Sequence, residues 1–184
     1  MRILGISGSL RRDSHNTALL RAAAELLPPG DELVLWDGLK AVPPFDEDDE
    51  VEPAPPAVAA LRRAVADADA VLFATPEYNS SVPGALKNAL DWASRPFATS
   101  SFRNKPVAVI GSSIGAFGGV WSQAELRKVL GTMGARVAEA ELAVGHANDK
   151  FDGEGRLVDE DVREQLADTL ALLAAAAAPA LAAA

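Results

Sequence analysis

The sequence predicts an α/β fold: an open, doubly wound parallel sheet of five strands in the order 2-1-3-4-5, with helices on both faces. Three observations carry that prediction. Short apolar runs alternate with stretches of helical period along most of the chain, the pattern of successive βαβ units. The third apolar run, Asp69–Thr75, is hydrophobic throughout its interior instead of alternating, as a strand covered on both faces requires. Three loops rich in small and polar residues follow strands one, three and four. In this strand order those strands are neighbours across the point where the order reverses, and ligands of such sheets bind at that point.

Taken in order, Arg2–Ser7 reads as a buried strand and Thr17–Leu27 as an amphipathic helix, stopped by Pro28-Pro29-Gly30. Glu32–Trp36 is a second strand. The acidic, proline-bearing segment from Asp37 to Pro56 is a loop, and its run Asp46–Glu50 lacks a chelating turn, so a solvated face and no metal site is expected there. Ala57–Ala68 is a helix with Leu61 and Val65 four apart on one face. After the third strand, the loop Pro76–Gly84 leads into a helix over Ala85–Ala93 carrying Leu86, Leu90 and Trp92. Lys105–Gly111 is the fourth strand and ends in the small-residue loop Ser112–Gly119. Trp121–Met133 is a helix with Leu126, Val129, Leu130 and Met133 inward. A fifth strand runs from Arg136 to about Val144, Gly145–Gly155 is an irregular polar loop, and Asp159–Ala178 is a last helix with Asp159 as its cap. One domain over 1–178 is expected, followed by an alanine-rich tail at 179–184.

Composition narrows the function. The 184 residues carry a net charge of −9, which argues against a nucleic-acid backbone or an anionic membrane as partner. There is no cysteine, so disulfides, thiolate metal sites, cysteine nucleophiles and redox dithiols are all removed. No apolar run reaches the roughly twenty residues of a membrane helix. The N-terminus lacks a signal-peptide pattern, and a cytoplasmic protein is expected.

The first loop, Gly8-Ser9-Leu10-Arg11-Arg12-Asp13-Ser14-His15-Asn16, breaks a strand at the start of a helix. Unpaired N–H groups and the helix dipole favour an anion there, phosphate above all. Ser9, Ser14 and Asn16 add donors, and Arg11 adds a charged fork. Alone, the stretch reads equally well as a strand–turn–helix corner with Ser14 or Asn16 as cap. The second loop, Pro76-Glu77-Tyr78-Asn79-Ser80-Ser81-Val82-Pro83-Gly84, offers a flat face at Tyr78 and a donor and acceptor at Asn79, suited to a planar heterocycle with polar edges. Both residues also read as ordinary loop positions.

These motifs resemble the NADPH-dependent FMN reductase family, the flavodoxin-like reductases that include quinone, azo-dye and chromate reductases. Gly8-Ser9-Leu10-Arg11 with Ser14 and Asn16 is similar to the family's phosphate loop. Pro76-Glu77-Tyr78-Asn79, then Val82-Pro83-Gly84, Leu86-Lys87-Asn88 and Asp91-Trp92, resemble its flavin-ring loop and helix. Gly118-Gly119, Gln123, Leu126-Arg127, Leu130 and Gly134 resemble its third loop and following helix. The resemblance implies FMN as cofactor, its phosphate held by Ser9, Arg11, Ser14 and Asn16. It implies an isoalloxazine lined by Pro76, Glu77, Tyr78 and Asn79, with Ser112, Ser113 and Gly115 on the other side. It also implies NADPH or NADH as donor, a small-molecule acceptor such as a flavin, quinone, azo compound or metal oxyanion, and a homodimer or homotetramer with the flavin near a subunit boundary. Ser80 departs from the family's frequent glycine.

In that reading no side chain is a nucleophile or general base: flavin N5 is the reactive centre, and two hydride transfers on one face give ping-pong kinetics. His15 is either a further donor or a solvent-facing loop residue, His146 a surface histidine, and Trp36, Trp92 and Trp121 core or interface anchors. Arg103 and Lys105 either meet a 2′-phosphate or sit in a solvated turn. The alternative of a different class is an FMN electron carrier that docks a redox protein. It shares fold and acidic balance, but its phosphate loop is typically Thr-rich where this one carries Arg11 and Asn16. A response-regulator-like module would need acidic residues where this chain has Ser7-Gly8-Ser9.

Overall fold

The computed structural model describes residues 1–178; the expected tail at 179–184 lies outside them. β1 (Arg2–Ser7), β2 (Glu32–Trp36), β3 (Ala70–Ala74) and β4 (Pro106–Ser112) form a parallel sheet in the order β2-β1-β3-β4. Leu4 of β1 sits opposite Val34 on one side and Val71 on the other, and Phe73 of β3 sits opposite Val109. β3 is buried at every position, as its unbroken apolar run requires, while the edge strand β2 is only half-buried.

The fifth strand departs from expectation. It is two short pieces, β5 (Arg136–Val137) and β6 (Leu142–Val144), both parallel to β4. Between them the ladder is broken, and the guanidinium of Arg127 stands in the gap, donating through Nη2 to the carbonyls of Val109 (3.1 Å) and Ala140 (2.7 Å). A side chain from the covering helix thus satisfies carbonyls that a continuous strand would have paired. Burial pushes the Arg127 guanidinium below its usual range.

Five helices flank the sheet: α1 (His15–Glu25), α2 (Pro56–Asp67), α3 (Gly84–Ala93), α4 (Val120–Thr132) and α5 (Glu160–Ala177). Strand side chains alternate between two cores. Ile3, Leu72 and Ile110 face α1 and α5, packing with Leu19, Leu20, Leu166 and Leu170. Leu4, Phe73 and Val109 face α2, α3 and α4, packing with Leu61, Leu86, Leu90 and Leu126. Each such fully buried side chain contributes roughly 1.5–3 kcal/mol, so these two layers hold the sheet whose carboxyl ends carry the loops. Caps set the helix starts: Ser14 Oγ accepts from the Thr17 N–H at 3.3 Å, and Asp159 accepts from that of Val162 at 3.0 Å. The acidic segment forms a short 3-10 turn at Glu47–Asp49, with Asp46 accepting from the Asp48 N–H. No helix among the described residues is long and apolar enough to cross a membrane.

Candidate functional site

The first loop leaves β1 beside β3: the Gly8 N–H donates to the Ala74 carbonyl at 2.8 Å. A Cβ on Gly8 would stand 3.0 Å from Leu86 and 3.2 Å from Pro76, so glycine lets this loop pass close against the second. Ser9 Oγ accepts from the Arg11 N–H at 3.4 Å, closing the turn into α1. The first turn of α1 holds no acidic residue, so its unpaired N–H groups keep their full pull on an anion. Asn16 behaves differently from expectation. Its buried amide donates to the Ser112 carbonyl (3.0 Å) and accepts from the Ser112 N–H (2.9 Å). The side chain is a clamp between the first loop and the end of β4, which leaves the backbone N–H of Asn16 to face a ligand.

The second loop is a two-residue turn. Tyr78 and Ser81 exchange backbone hydrogen bonds of 3.3 and 3.2 Å, and the residues between them, Asn79 and Ser80, have φ of 53° and 60°. Positive φ at both central positions is the geometry that asparagine tolerates and glycine prefers, and serine at the second position carries a steric penalty. Two carboxylates tie this turn to α4. Glu77 accepts from the N–H groups of Trp121 (3.0 Å) and Ser122 (3.1 Å), capping the helix. Glu125 reaches back to accept from the Ser81 hydroxyl (2.7 Å) and the Val82 N–H (3.1 Å). Those two bonds, the hydroxyl first, hold the Glu125 carboxyl below the usual carboxylate range.

The third loop, Ser112–Gly119, is pressed against β6 and the segment after it. A Cβ on Gly118 would fall 2.3 Å from the Ala143 carbonyl carbon, and the φ of Gly118 is 59°, so only glycine fits. Val144 and His146 brace the loop through the Ser113 N–H and the Gly115 carbonyl, at 3.0 Å each.

Together the loops enclose a cavity of about 220 Å³. Its walls include Ser9, Arg11, Ser14, Asn16, Pro76, Glu77, Tyr78, Ser112 and Ser113. Asn79 and Gly115 stand outside the lining: Asn79 forms the turn, and the Gly115 N–H is taken by Ser113 Oγ at 3.1 Å. The Ser112 hydroxyl is buried in this wall with no partner among the described residues, although buried hydroxyls almost always have one. A cation unpaired among the described residues, a helix N-terminus free of acidic side chains, an orphaned hydroxyl and a half-exposed tyrosine suit an anionic group joined to a flat, polar-edged one.

Two lining residues carried no clear signal in the sequence. His15 stacks on Phe151 with ring centroids 5.2 Å apart and shares a 3.1 Å hydrogen bond between Nε2 and Asn148 Oδ1. It is therefore fixed by the Gly145–Gly155 segment folding back over α1, which no local pattern announces. Ile114, 65% exposed, stands at the mouth, and further along the same loop Phe117 meets Trp121 edge to face with ring centroids 5.1 Å apart. Trp121 is thus a surface residue, whereas Trp92 is buried and donates to the Pro43 carbonyl. Lys105 and Arg103 lie at the opposite end of the sheet, before β4. Lys105 donates to the carbonyls of Ala66 and Ala68, and Arg103 packs over Phe97.

Comparison with known proteins bears directly on this geometry. Residues 1–149 match the family described as NADPH-dependent FMN reductase. The chain is 43% identical over 174 residues to an NAD(P)H-dependent FMN reductase of Pseudomonas aeruginosa, covering 94% of this chain and 93% of that one. It is 43% identical over 182 residues to an NADPH:quinone oxidoreductase of Arabidopsis thaliana, covering 95% and 91%. Among solved structures, the flavoenzyme FerB of Paracoccus denitrificans, an NAD(P)H:(acceptor) oxidoreductase, superimposes with a TM-score of 0.84 at 32% identity, covering 94% and 95%.

Proposed function

The chain belongs to the NADPH-dependent FMN reductase family, an oxidoreductase family using FMN and NAD(P)H, and from that premise we propose how its crevice works. Ser9, Arg11, Ser14 and the first-turn N–H groups of α1, that of Asn16 among them, hold the FMN phosphate. Pro76, Glu77 and Tyr78 line the isoalloxazine on one side, with Ser112 and Ser113 on the other, while Asn79 and Gly115 shape the backbone of those two walls. When bound, the flavin supplies a ring nitrogen that takes a hydride from NADPH or NADH and passes it to a small acceptor, a quinone foremost.

The protein supplies position and charge. Asn16 fixes the distance between the phosphate loop and the ring loops through both polar atoms of the Ser112 backbone. Glu77 and Glu125 hold the tyrosine-bearing turn still against α4. The orphaned Ser112 hydroxyl gains its missing partner in the ring's polar edge. With the flavin bound, hydride transfer would need no side chain as nucleophile or general base, because stacking would set the reacting atoms at a near-attack distance of roughly 3–3.5 Å. Nucleotide and acceptor use the same open face in turn, so the kinetics are ping-pong. We place the working enzyme in the cytoplasm, as a homodimer or homotetramer whose boundary passes the exposed pair Phe117–Trp121.

The convergence in one cavity of Arg11, unpaired among the described residues, the acid-free first turn of α1 and the orphaned Ser112 hydroxyl is the observation that carries this reading. Titrating apoprotein with FMN, followed by quenching of flavin fluorescence, tests it. Arg11→Ala is expected to raise the Kd about tenfold or more, the scale of a charge-assisted phosphate contact. Unchanged affinity in Arg11→Ala would place the phosphate elsewhere.

A further inference from the structure

A second cavity, of about 310 Å³, opens on the outer side of the first loop, at the ends of β1 and β2. Ser9 lines both cavities, so only this loop separates them. The apolar wall of the second is Leu35, Leu39 and the indole of Trp36. That indole lies on the backbone of Gly38, where a Cβ would come within 2.6 Å of the ring, so glycine lets it lie flat. Two cations flank it, Arg21 from α1 and Lys40 from the 3-10 turn Gly38–Ala41. Neither has a side-chain hydrogen bond or ion pair among the described residues, whereas Arg62, Lys87, Arg95 and Lys150 each face a carboxylate. With Arg11 and Arg12, they place four such cations around one loop of a chain whose net charge is −9.

We infer that this second cavity holds the adenosine 2′-phosphate end of NADPH, with Arg21 and Lys40 on the phosphate and Trp36 against the adenine. The inference rests on the reductase reading and names the part of the donor which that reading leaves unplaced. The sheet sets the span. From β2 to β4 is three inter-strand spacings, roughly 14 Å at about 4.8 Å each, a gap that an extended dinucleotide bridges while its nicotinamide stays over the flavin. At an adenosine 2′ oxygen a carboxylate favours the hydroxyl and a cation favours the phosphate. Asp37 stands directly after β2 in this cavity and alone would favour the hydroxyl. The two unpaired cations beside it turn the balance to the dianion.

FMN-loaded protein titrated with 2′,5′-ADP and with 5′-AMP, followed by tryptophan fluorescence and by heat, tests this site. The expected result is at least about tenfold tighter binding of 2′,5′-ADP, weakened about tenfold in Arg21→Ala and in Lys40→Ala and largely restored in Arg21→Lys. In parallel, the ratio of kcat/KM for NADPH over NADH falls about tenfold, the loss entering through KM. Equal binding of the two nucleotides, or 2′,5′-ADP affinity unmoved in both alanine variants, overturns the proposal. The titration needs no electron transfer. A parent protein whose bound FMN neither NADPH nor NADH reduces would instead remove the reductase reading and this inference with it.

Discussion

Ser80 is the residue at which the chain pays most visibly for its turn, since a serine with φ of 60° sits where the Cβ crowds the backbone. Ser80→Gly is expected to raise stability by about 0.5–1 kcal/mol, the left-handed penalty less the extra freedom of glycine in the unfolded chain. Urea unfolding checks it, and a lower midpoint in the glycine variant contradicts the strain. At this scale, local signals were the legible ones. Ser14 and Asp159 announce their helices because a cap needs only the next few residues. The same local logic makes Asn16 a ligand donor, yet its partner, Ser112, lies 96 positions away. Asn79 draws notice by its side chain, whereas its backbone decides its place.

Between elements, the tie from α4 to the second loop is ionic on one side. Glu125 has its pKa lowered by the Ser81 hydroxyl and the Val82 N–H, so its folded form binds protons less readily than its unfolded form. That contribution is complete above the ordinary glutamate value of 4.5 and is lost as pH falls through the depressed folded-state value. Glu125→Gln is therefore expected to be less stable than the parent at pH 7, with the gap closing under acid. Denaturant midpoints across pH 3–7 check this, and a gap that widens toward acid rules it out. Element existence and order were legible from period and punctuation. The break between β5 and β6 was not, because Arg127, which fills it, lies on a helix whose docking the sequence does not state.

For the whole molecule, strand order and the convergence of three loops followed from the alternation of elements, since βαβ connections leave few arrangements. Folding of Gly145–Gly155 over α1 did not, because that segment has no period to read. The exposed rings of Phe117 and Trp121, packed edge to face, make an apolar surface that solvent disfavours. Trp121→Lys is expected to shift the protein toward monomer in sedimentation velocity, while an unchanged assembly would move the subunit boundary elsewhere. Hydride passage from a nicotinamide through FMN to a small acceptor, the activity proposed for the crevice, is read from the visible spectrum of the FMN-loaded protein under anaerobic NADPH, followed by a quinone. Bleaching in one two-electron step is expected, with no one-electron species accumulating, and full recovery of the oxidised spectrum on adding the quinone. A flavin that NADPH leaves oxidised, while dithionite takes it through a stable one-electron stage, would overturn the reductase reading and mark an electron carrier.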